Sequence, residues 1–302
     1  MPSDSVLHCG PKTIETPQHS DESFAASQRG LATGLDFSDP RSNWSIEYVL
    51  HCRRLLGDAI VRRMAIYALP ERFLLTVIVP VFNEADTVAA IPLRLKATGL
   101  PMQIILVDDG STDGTVQQLD LLATQPGVEV IRHAANRGKG AAIRSALPTA
   151  RGDVIVIQDA DREYDPEDFR WLLQPILDQE SDVVYGTRYG QPDRQVSPWW
   201  HQAANRLITL LASVAVGLRL QDVETCYKMA TREAFDMIAT ELKEDRFGIE
   251  IELTARWARA GLRFAERPIR YQHRWYTEGK KITWKDGIAA LGCIFKYGVM
   301  RR

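Results

Sequence analysis

Asp159 and Asp161 stand one residue apart at the end of an apolar run, GDVIVIQDAD. Carboxylates at i and i+2 repel one another unless a cation or hydrogen-bond donors compensate. A hard divalent ion with oxygen ligands, Mg2+ or Mn2+, is the natural compensator, and such ions commonly join protein carboxylates to substrate phosphates. Two more apolar runs end in polar clusters: PVFNE, with Pro80, Asn83 and Glu84, and VDDGSTDGT, where Asp108 and Asp109 follow Val107. Turns recruit Asp, Gly and Ser for conformational reasons alone, so the second cluster has a structural explanation as well; the paired aspartates have a weaker one. The residues around Lys139 read RGKGAA rather than GxxxxGK[ST], and no GxGxxG follows the first apolar run. Both facts argue against a P-loop enzyme and a dinucleotide dehydrogenase.

Elements that position these residues follow from periodicity. From Phe73 onward, short apolar strands alternate with helical segments, which predicts an α/β domain with a mostly parallel sheet and helices on both faces. The expected strands are LLTVIVP, QIILVDD, VEVIRH, DVIVIQDAD and DVVYG, with helices over 85–98, DGTVQQLDLLATQ, GKGAAIRSALPTA and PEDFRWLLQPILDQ. Further on, a helix is expected over 205–216, a strand at CYKMA, a helix over 249–260, a strand at RFAERPI and a last helix over 284–297. In open α/β sheets ligands bind beyond the carboxyl ends of the strands, where all three polar clusters fall. Residues 1–40, rich in Ser, Thr, Pro, Gly and Asp, are expected to stay disordered. Within 41–70, Val49, Cys52, Leu56, Ile60 and Met64 recur at helical spacing, with arginines elsewhere around the wheel, which predicts one amphipathic helix ended by Pro70. The catalytic domain is then 71–302.

Composition bounds the partners. Of 302 residues, 45% are apolar, enough for a sizeable core, which excludes a wholly disordered or fibrous chain. A net charge of −2 argues against a general nucleic-acid binder. The cysteines, Cys9, Cys52, Cys226 and Cys293, form no CxxC, so neither a zinc knuckle nor a disulfide framework is read, and a reducing cytoplasm fits. Charge is uneven: residues 267–302 hold nine basic and two acidic side chains, a local +7, leaving −9 for residues 1–266. Such a basic end suits a nucleotide pyrophosphate or an anionic lipid surface, although ordinary solvated helix flanks account for it equally. Uncharged stretches such as 207–218 reach about half of the roughly 20 apolar residues a membrane span needs. No secretory leader is read at the N-terminus, so the expected place is the cytoplasmic face of the membrane, held peripherally.

In order and spacing, TVIVPVFNEADTV, IILVDDGSTDGT, NRGKGAAIRSAL, GDVIVIQDAD and DVVYGTRY closely resemble family 2 glycosyltransferases of the GT-A fold. The segments DVETCYKMATREAF, RFGIEIELTARWARAG and PIRYQHRWYTEGKKITWKDG are similar to the polyprenyl-phosphate sugar synthases, such as dolichyl-phosphate mannose and glucose synthases. The resemblance covers residues 72–302. It implies that Pro80, Asn83, Glu84, Val107, Asp108 and Asp109 line the nucleobase and ribose pocket. Asp159 would face ribose and pyrophosphate, Asp161 would hold the metal, and Glu163 would add a ligand. The resemblance further implies that Arg188 sits where donor and acceptor phosphates meet, that Asp222 and Lys228 shape the acceptor site, and that Arg274 and Lys281 belong to a loop closing over the phosphates.

The implied reaction is attack of a polyprenyl phosphate oxygen on the anomeric carbon of a GDP- or UDP-hexose, with inversion. A phosphate monoester has its second pKa near ~6, so no strong base is required. A family 2 enzyme acting on a hydroxyl would need a carboxylate base, and Asp222 is the nearby candidate. A nucleotidyltransferase would place a Gly-rich basic loop after the first strand, which VPVFNEADTV lacks, and a non-catalytic binding protein leaves DAD and DDGS poorly explained. The nucleotide, the sugar and any homo-oligomer stay open.

Overall fold

The computed structural model describes residues 44–190, 199–273 and 284–299. The expected disordered extension over 1–40, Arg274 and Lys281 lie outside the described residues, as do Trp275 and Tyr276 of the basic C-terminal segment. Among the described residues, seven strands form one sheet: β1 (Leu75–Val81), β2 (Met102–Asp108), β3 (Val128–Arg132), β4 (Val154–Ile157), β5 (Val183–Thr187), β6 (Lys228–Thr231) and β7 (Phe264–Pro268), in the order β3-β2-β1-β4-β6-β5-β7. The pairs β1/β2, β1/β4, β2/β3 and β5/β7 are parallel, whereas β6 runs antiparallel to both β4 and β5. The central strands are buried on both faces, which is why they read as continuous apolar runs rather than alternating ones.

The reversal of β6 decides where the site lies. Strands β1, β2, β4, β5 and β7 deliver their carboxyl ends to one edge, and the antiparallel β6 begins at that same edge. The segment 222–227 that leads into β6 is thereby placed among the ends of the parallel strands. CYKMA was expected as a strand, but periodicity carries no direction.

Helices cover the sheet and agree with the sequence expectation to within a few residues at most ends. They are α1 (Ile46–Leu56), α2 (Asp58–Arg63), α3 (Ile91–Lys96), α4 (Thr115–Leu122), α5 (Lys139–Ala146), α6 (Phe169–Leu177), α7 (Trp199–Val216), α8 (Arg232–Ala239), α9 (Ile249–Arg259) and α10 (Trp284–Cys293). α8 was not expected. Thr231 caps it by accepting from the Ala234 N–H, at the close of β6. The last helix was expected to run to 297, but it changes to π geometry over Ile294–Val299.

The single helix expected over 43–69 is corrected to two short ones. Gly57 sits at φ +81, outside the helical region, and ends α1 with a hydrogen bond to the Arg53 carbonyl. The break shifts the phase of the apolar stripe: Val49, Cys52, Val61 and Ile66 form a small core, while Leu56, Ile60 and Met64 are left exposed. The main core runs from Phe73 through both faces of the sheet to Trp257, whose indole N–H donates to the Ala234 carbonyl.

Candidate active site

The loops after β1 and β2 are stitched into one wall. The Asn83 N–H donates to Ser111 Oγ at 2.9 Å, Asn83 Oδ1 accepts from the Thr112 N–H, and the Glu84 N–H donates to Thr115 Oγ1. Asp108 Oδ1 accepts from the Ser111 N–H, which fixes the turn. Gly110 is required here: its φ is +76, and a Cβ would lie 2.5 Å from the Ala135 carbonyl carbon. Pro80, Asn83, Glu84 and Asp108 are thus brought together, with the Pro80 backbone in register with Val107; the Val107 side chain is buried in the core. Asp109 departs from the expectation. Its carboxylate points inward, with Oδ1 2.7 Å from His133 Nδ1, and accepts from the Arg137 and Gly138 N–H groups, so it builds the loop ahead of α5 instead of lining a pocket.

Beyond β4, Asp159, Asp161 and Glu163 follow in one turn. Asp161 Oδ1 accepts from the Glu163 N–H at 3.0 Å. Burial, then the neighbouring carboxylates of Asp159, Glu163 and Glu84, push the Asp161 carboxyl up to about 8. Negative charge has therefore been concentrated without protein cations enough to balance it at Asp161, which is a donor set that suits a hard divalent ion. Among the described residues, no three His, Cys, Asp or Glu side chains are arranged to hold an ion by themselves. An ion here would rely on one or two carboxylates and on oxygens of the substrate, as Mg2+ commonly does. Two of the expected ligands also have protein partners: Asp159 Oδ1 is 2.8 Å from Lys139 Nζ, and Glu163 Oε2 accepts from the Tyr271 hydroxyl.

Arg188 and Asp222, 34 residues apart, form a two-pronged pair: Nε donates to Oδ2 and Nη2 to Oδ1, both at 2.7 Å, and the Arg188 N–H adds a third bond. Asn205 of α7 donates to Asp222 Oδ1 and to the Tyr189 hydroxyl. Burial alone would raise Asp222, but the guanidinium and its donated bonds outweigh burial and hold the carboxyl below its usual range. Asp222 is fully buried with its lone pairs committed, so the expectation that it serves as a base is corrected: it positions Arg188. The guanidinium lies 5.4 Å from the centre of the Tyr271 ring, and the Tyr271 hydroxyl reaches Glu163, so Arg188 is held beside the acidic turn, with Nη1 outside its bonds to Asp222.

Lys228 also departs from expectation. Its side chain is fully buried, Nζ donates to the Val223 and Thr225 carbonyls and lies 2.6 Å from Glu250, and it stands over the Tyr185 ring. With those partners it cannot turn to an acceptor. Glu250, in the first turn of α9, sits between Lys228 and Lys139, with Lys139 Nζ at 2.9 Å. Burial opposes the charge on Lys139, yet Asp159 and Glu250 more than offset it and keep the ammonium charged. A chain of alternating charges thus runs from Asp159 through Lys139 and Glu250 to Lys228. Lys139 lies in the recognisable NRGKG segment, but nothing local marks Glu250, whose helix reads as amphipathic packing.

Sequence reasoning also missed Glu224. Its Oε1 is buried without a hydrogen-bond partner among the described residues, and burial, opposed by Lys228, raises the carboxyl from 4.5 to about 7. A carboxyl raised in the folded state contributes stability that is present at low pH and lost as pH rises from about 4.5 to about 7. Glu224→Gln should remove that loss, so the variant gains about 3 kcal/mol on wild type between those limits. Denaturant melts at pH 5 and pH 8 test this; equal differences at both would contradict it.

Chain order, the acidic turn after β4 and the arginine after β5 can be compared with known proteins. Residues 76–238 match the model for glycosyl transferase family 2. The chain is 30% identical over 211 residues to an undecaprenyl-phosphate mannosyltransferase of Micrococcus luteus, covering 67% of this chain and 85% of that one. It is 29% identical over 206 residues to a polyprenol monophosphomannose synthase of Mycolicibacterium smegmatis, covering 66% and 77%. A glucosyl-3-phosphoglycerate synthase from Mycobacterium tuberculosis, solved with Mn2+, UDP and phosphoglyceric acid, superposes with a TM-score of 0.58 at 18% identity, over 86% of this chain and 84% of that one. The mostly parallel sheet with its reversed sixth strand is accordingly a GT-A fold, and the chain belongs to glycosyl transferase family 2.

Proposed function

We propose that the protein moves a hexose from a nucleoside-diphosphate sugar to a polyprenyl phosphate with inversion, at the cytoplasmic face of a membrane. The observation that carries the reading is Arg188, clamped by Asp222 and held through Tyr271 beside the acidic turn: a fixed cation placed to receive a second anion next to the donor. The relatives that act on undecaprenyl or polyprenol phosphate support the same acceptor class. The loops of 80–84 and 108–112 would hold the nucleoside. Asp161, with Asp159, would hold Mg2+ or Mn2+, which supplies neutralisation of the leaving diphosphate.

In this reading the acceptor phosphate oxygen bonds to the anomeric carbon as the bond to the diphosphate oxygen breaks. Arg188 brings the acceptor phosphate close to the donor despite their like charge, which is chiefly a matter of placement. A phosphate dianion loses no proton in the attack, so the commitment of Asp222 to Arg188 costs the reaction nothing. Arg274 and Lys281 are assigned to the diphosphate by resemblance.

One observation favours a hydroxyl acceptor as a second reading: the carboxyl of Glu224, whose buried Oε1 has no hydrogen-bond partner among the described residues and which is poised near neutrality, is suited to take a proton. A panel of UDP- and GDP-sugars, offered with a short polyprenyl phosphate or with the corresponding alcohol, separates the two. Nucleoside diphosphate released only with the phosphate supports the first reading. Release with the alcohol, falling about a hundredfold or more in Glu224→Gln, supports the second.

A further inference from the structure

Two clefts open where the N-terminal helical extension meets the catalytic domain. The smaller, of about 240 Å3, lies between α2, α6 and β7, and its walls include Arg62, Arg63, Trp171, Gln174, Asp178, Glu180 and Arg267. The larger, of about 560 Å3, shares Arg63 and Trp171 with it. Asp159, Asp161, Arg188 and Asp222 line neither cleft. Helix α2 precedes residues 76–238, the part that matches the family, so the sugar-transfer site does not account for what is built here.

The polar groups of the smaller cleft are unevenly satisfied. Arg62 takes up the acidic side: it donates to Glu180 Oε1 at 2.5 Å and lies 3.9 Å from Asp178. Arg63, exposed at the end of α2, and Arg267 have no carboxylate partner among the described residues. The Arg267 guanidinium lies instead 5.0 Å from the centre of the Trp171 ring, and its Nε is enclosed with no hydrogen-bond partner among the described residues. Gln174 is only 5% exposed, yet its amide makes no hydrogen bond among the described residues and lines the same space. A buried polar group left unpaired costs about 1–3 kcal/mol, and two guanidinium groups at one cleft repel unless an anion lies between them. Arg63, Arg267 and Gln174 thus offer N–H donors from three elements, and a phosphate oxyanion accepts from all of them. With Arg62 counted against Asp178 and Glu180, the cleft keeps one positive charge in excess.

We infer that the cleft between α2, α6 and β7 is a second anion site, which takes the phosphate or diphosphate group of a small soluble molecule between Arg63, Arg267 and Gln174. The bound anion ties the extension to the catalytic domain. It also sits on the strand that leads to Tyr271, whose hydroxyl donates to Glu163 of the acidic turn. The inference goes beyond the transfer reaction and holds for either acceptor.

Titration calorimetry of the full chain with inorganic phosphate and inorganic diphosphate, in EDTA, tests it. Wild type should bind diphosphate, and the anion should slow hydrogen exchange over 58–64 and 169–177. Arg63→Ala removes an exposed side chain and should weaken binding about tenfold, the effect of losing one charge-assisted bond. Gln174→Met keeps the bulk and removes the amide, so affinity should fall while the melting temperature without anion holds or rises. A merely structural role for Gln174 would not give that pair of changes. Arg188→Ala should leave this binding intact. A second equivalent of UDP or GDP, taken up by wild type and lost in Arg63→Ala, would show that a nucleotide carries the anion; uptake of the inorganic anions alone would make it a free one. The inference is overturned if wild type takes up neither inorganic anion, or if Arg63→Ala and Gln174→Met bind as wild type does. Loss of all binding in Arg188→Ala overturns it too, by moving the anion to the candidate active site.

Discussion

Replacing Asp161 by Asn is expected to lower sugar transfer by about a hundredfold or more while the protein stays folded. Asp161 is the most crowded carboxylate of the acidic turn: burial and the charges of Asp159, Glu163 and Glu84 all act on it. Lys139 balances Asp159, and Tyr271 donates to Glu163, so Asp161 is the group with most to gain from a cation. Asn keeps the shape and can still accept from the Glu163 N–H, and it relieves the repulsion, so the fold should not suffer. What is lost is the charge that would hold Mg2+ or Mn2+ against the diphosphate. Initial rates across a metal titration, with a thermal melt of the same sample, are the measurement. In wild type, nucleoside diphosphate plus Mn2+ should raise the melting temperature more than either alone, and in the variant it should not. Undiminished transfer by the variant, or by wild type in excess EDTA, would remove the metal from the reading.

Arg188→Ala carries the second large effect, and it should act twice. Removing the guanidinium leaves Asp222 fully buried with, among the described residues, only Asn205 for a side-chain partner, a loss on the order of 3–5 kcal/mol for a broken buried pair. It also removes the cation proposed to receive the acceptor, so transfer should fall far more than binding of the nucleoside diphosphate. The double variant Arg188→Ala, Asp222→Ala separates the two roles: stability should largely return, since no buried charge is left alone, while transfer should not. Arg188→Lys should keep the charge but not the two-pronged geometry, and so recover only part of either. Titration calorimetry with nucleoside diphosphate beside a transfer assay provides the comparison. Equal losses in both would assign Arg188 to the donor.

Some of this was legible in the residues alone. Central strands buried on both faces must be apolar throughout, so LLTVIVP, QIILVDD and DVIVIQDAD declare themselves, and the polar residues that follow fall at the strand ends where ligands bind. Paired aspartates with one residue between them call for a compensating cation or hydrogen-bond donors; the structure supplies Lys139 to Asp159 and leaves Asp161 as the crowded member. The sequence also names Arg188 and Asp222 through resemblance, but not their bond to each other. Tertiary structure decided the rest, because direction and partner are long-range properties. Asp108 and Asp109 are neighbours in a single turn, yet one fixes the loop of the pocket wall and the other turns inward to His133. Lys228 looks like an acceptor cation until the antiparallel β6 sets it beneath Tyr185 and against Glu250. The single helix read before Pro70 failed at Gly57, where one left-handed residue changed which side chains face inward. The same limit explains α7: its apolar residues were visible as an uncharged stretch, but only packing against α9 and α10 determined which of them would be left exposed beside the site.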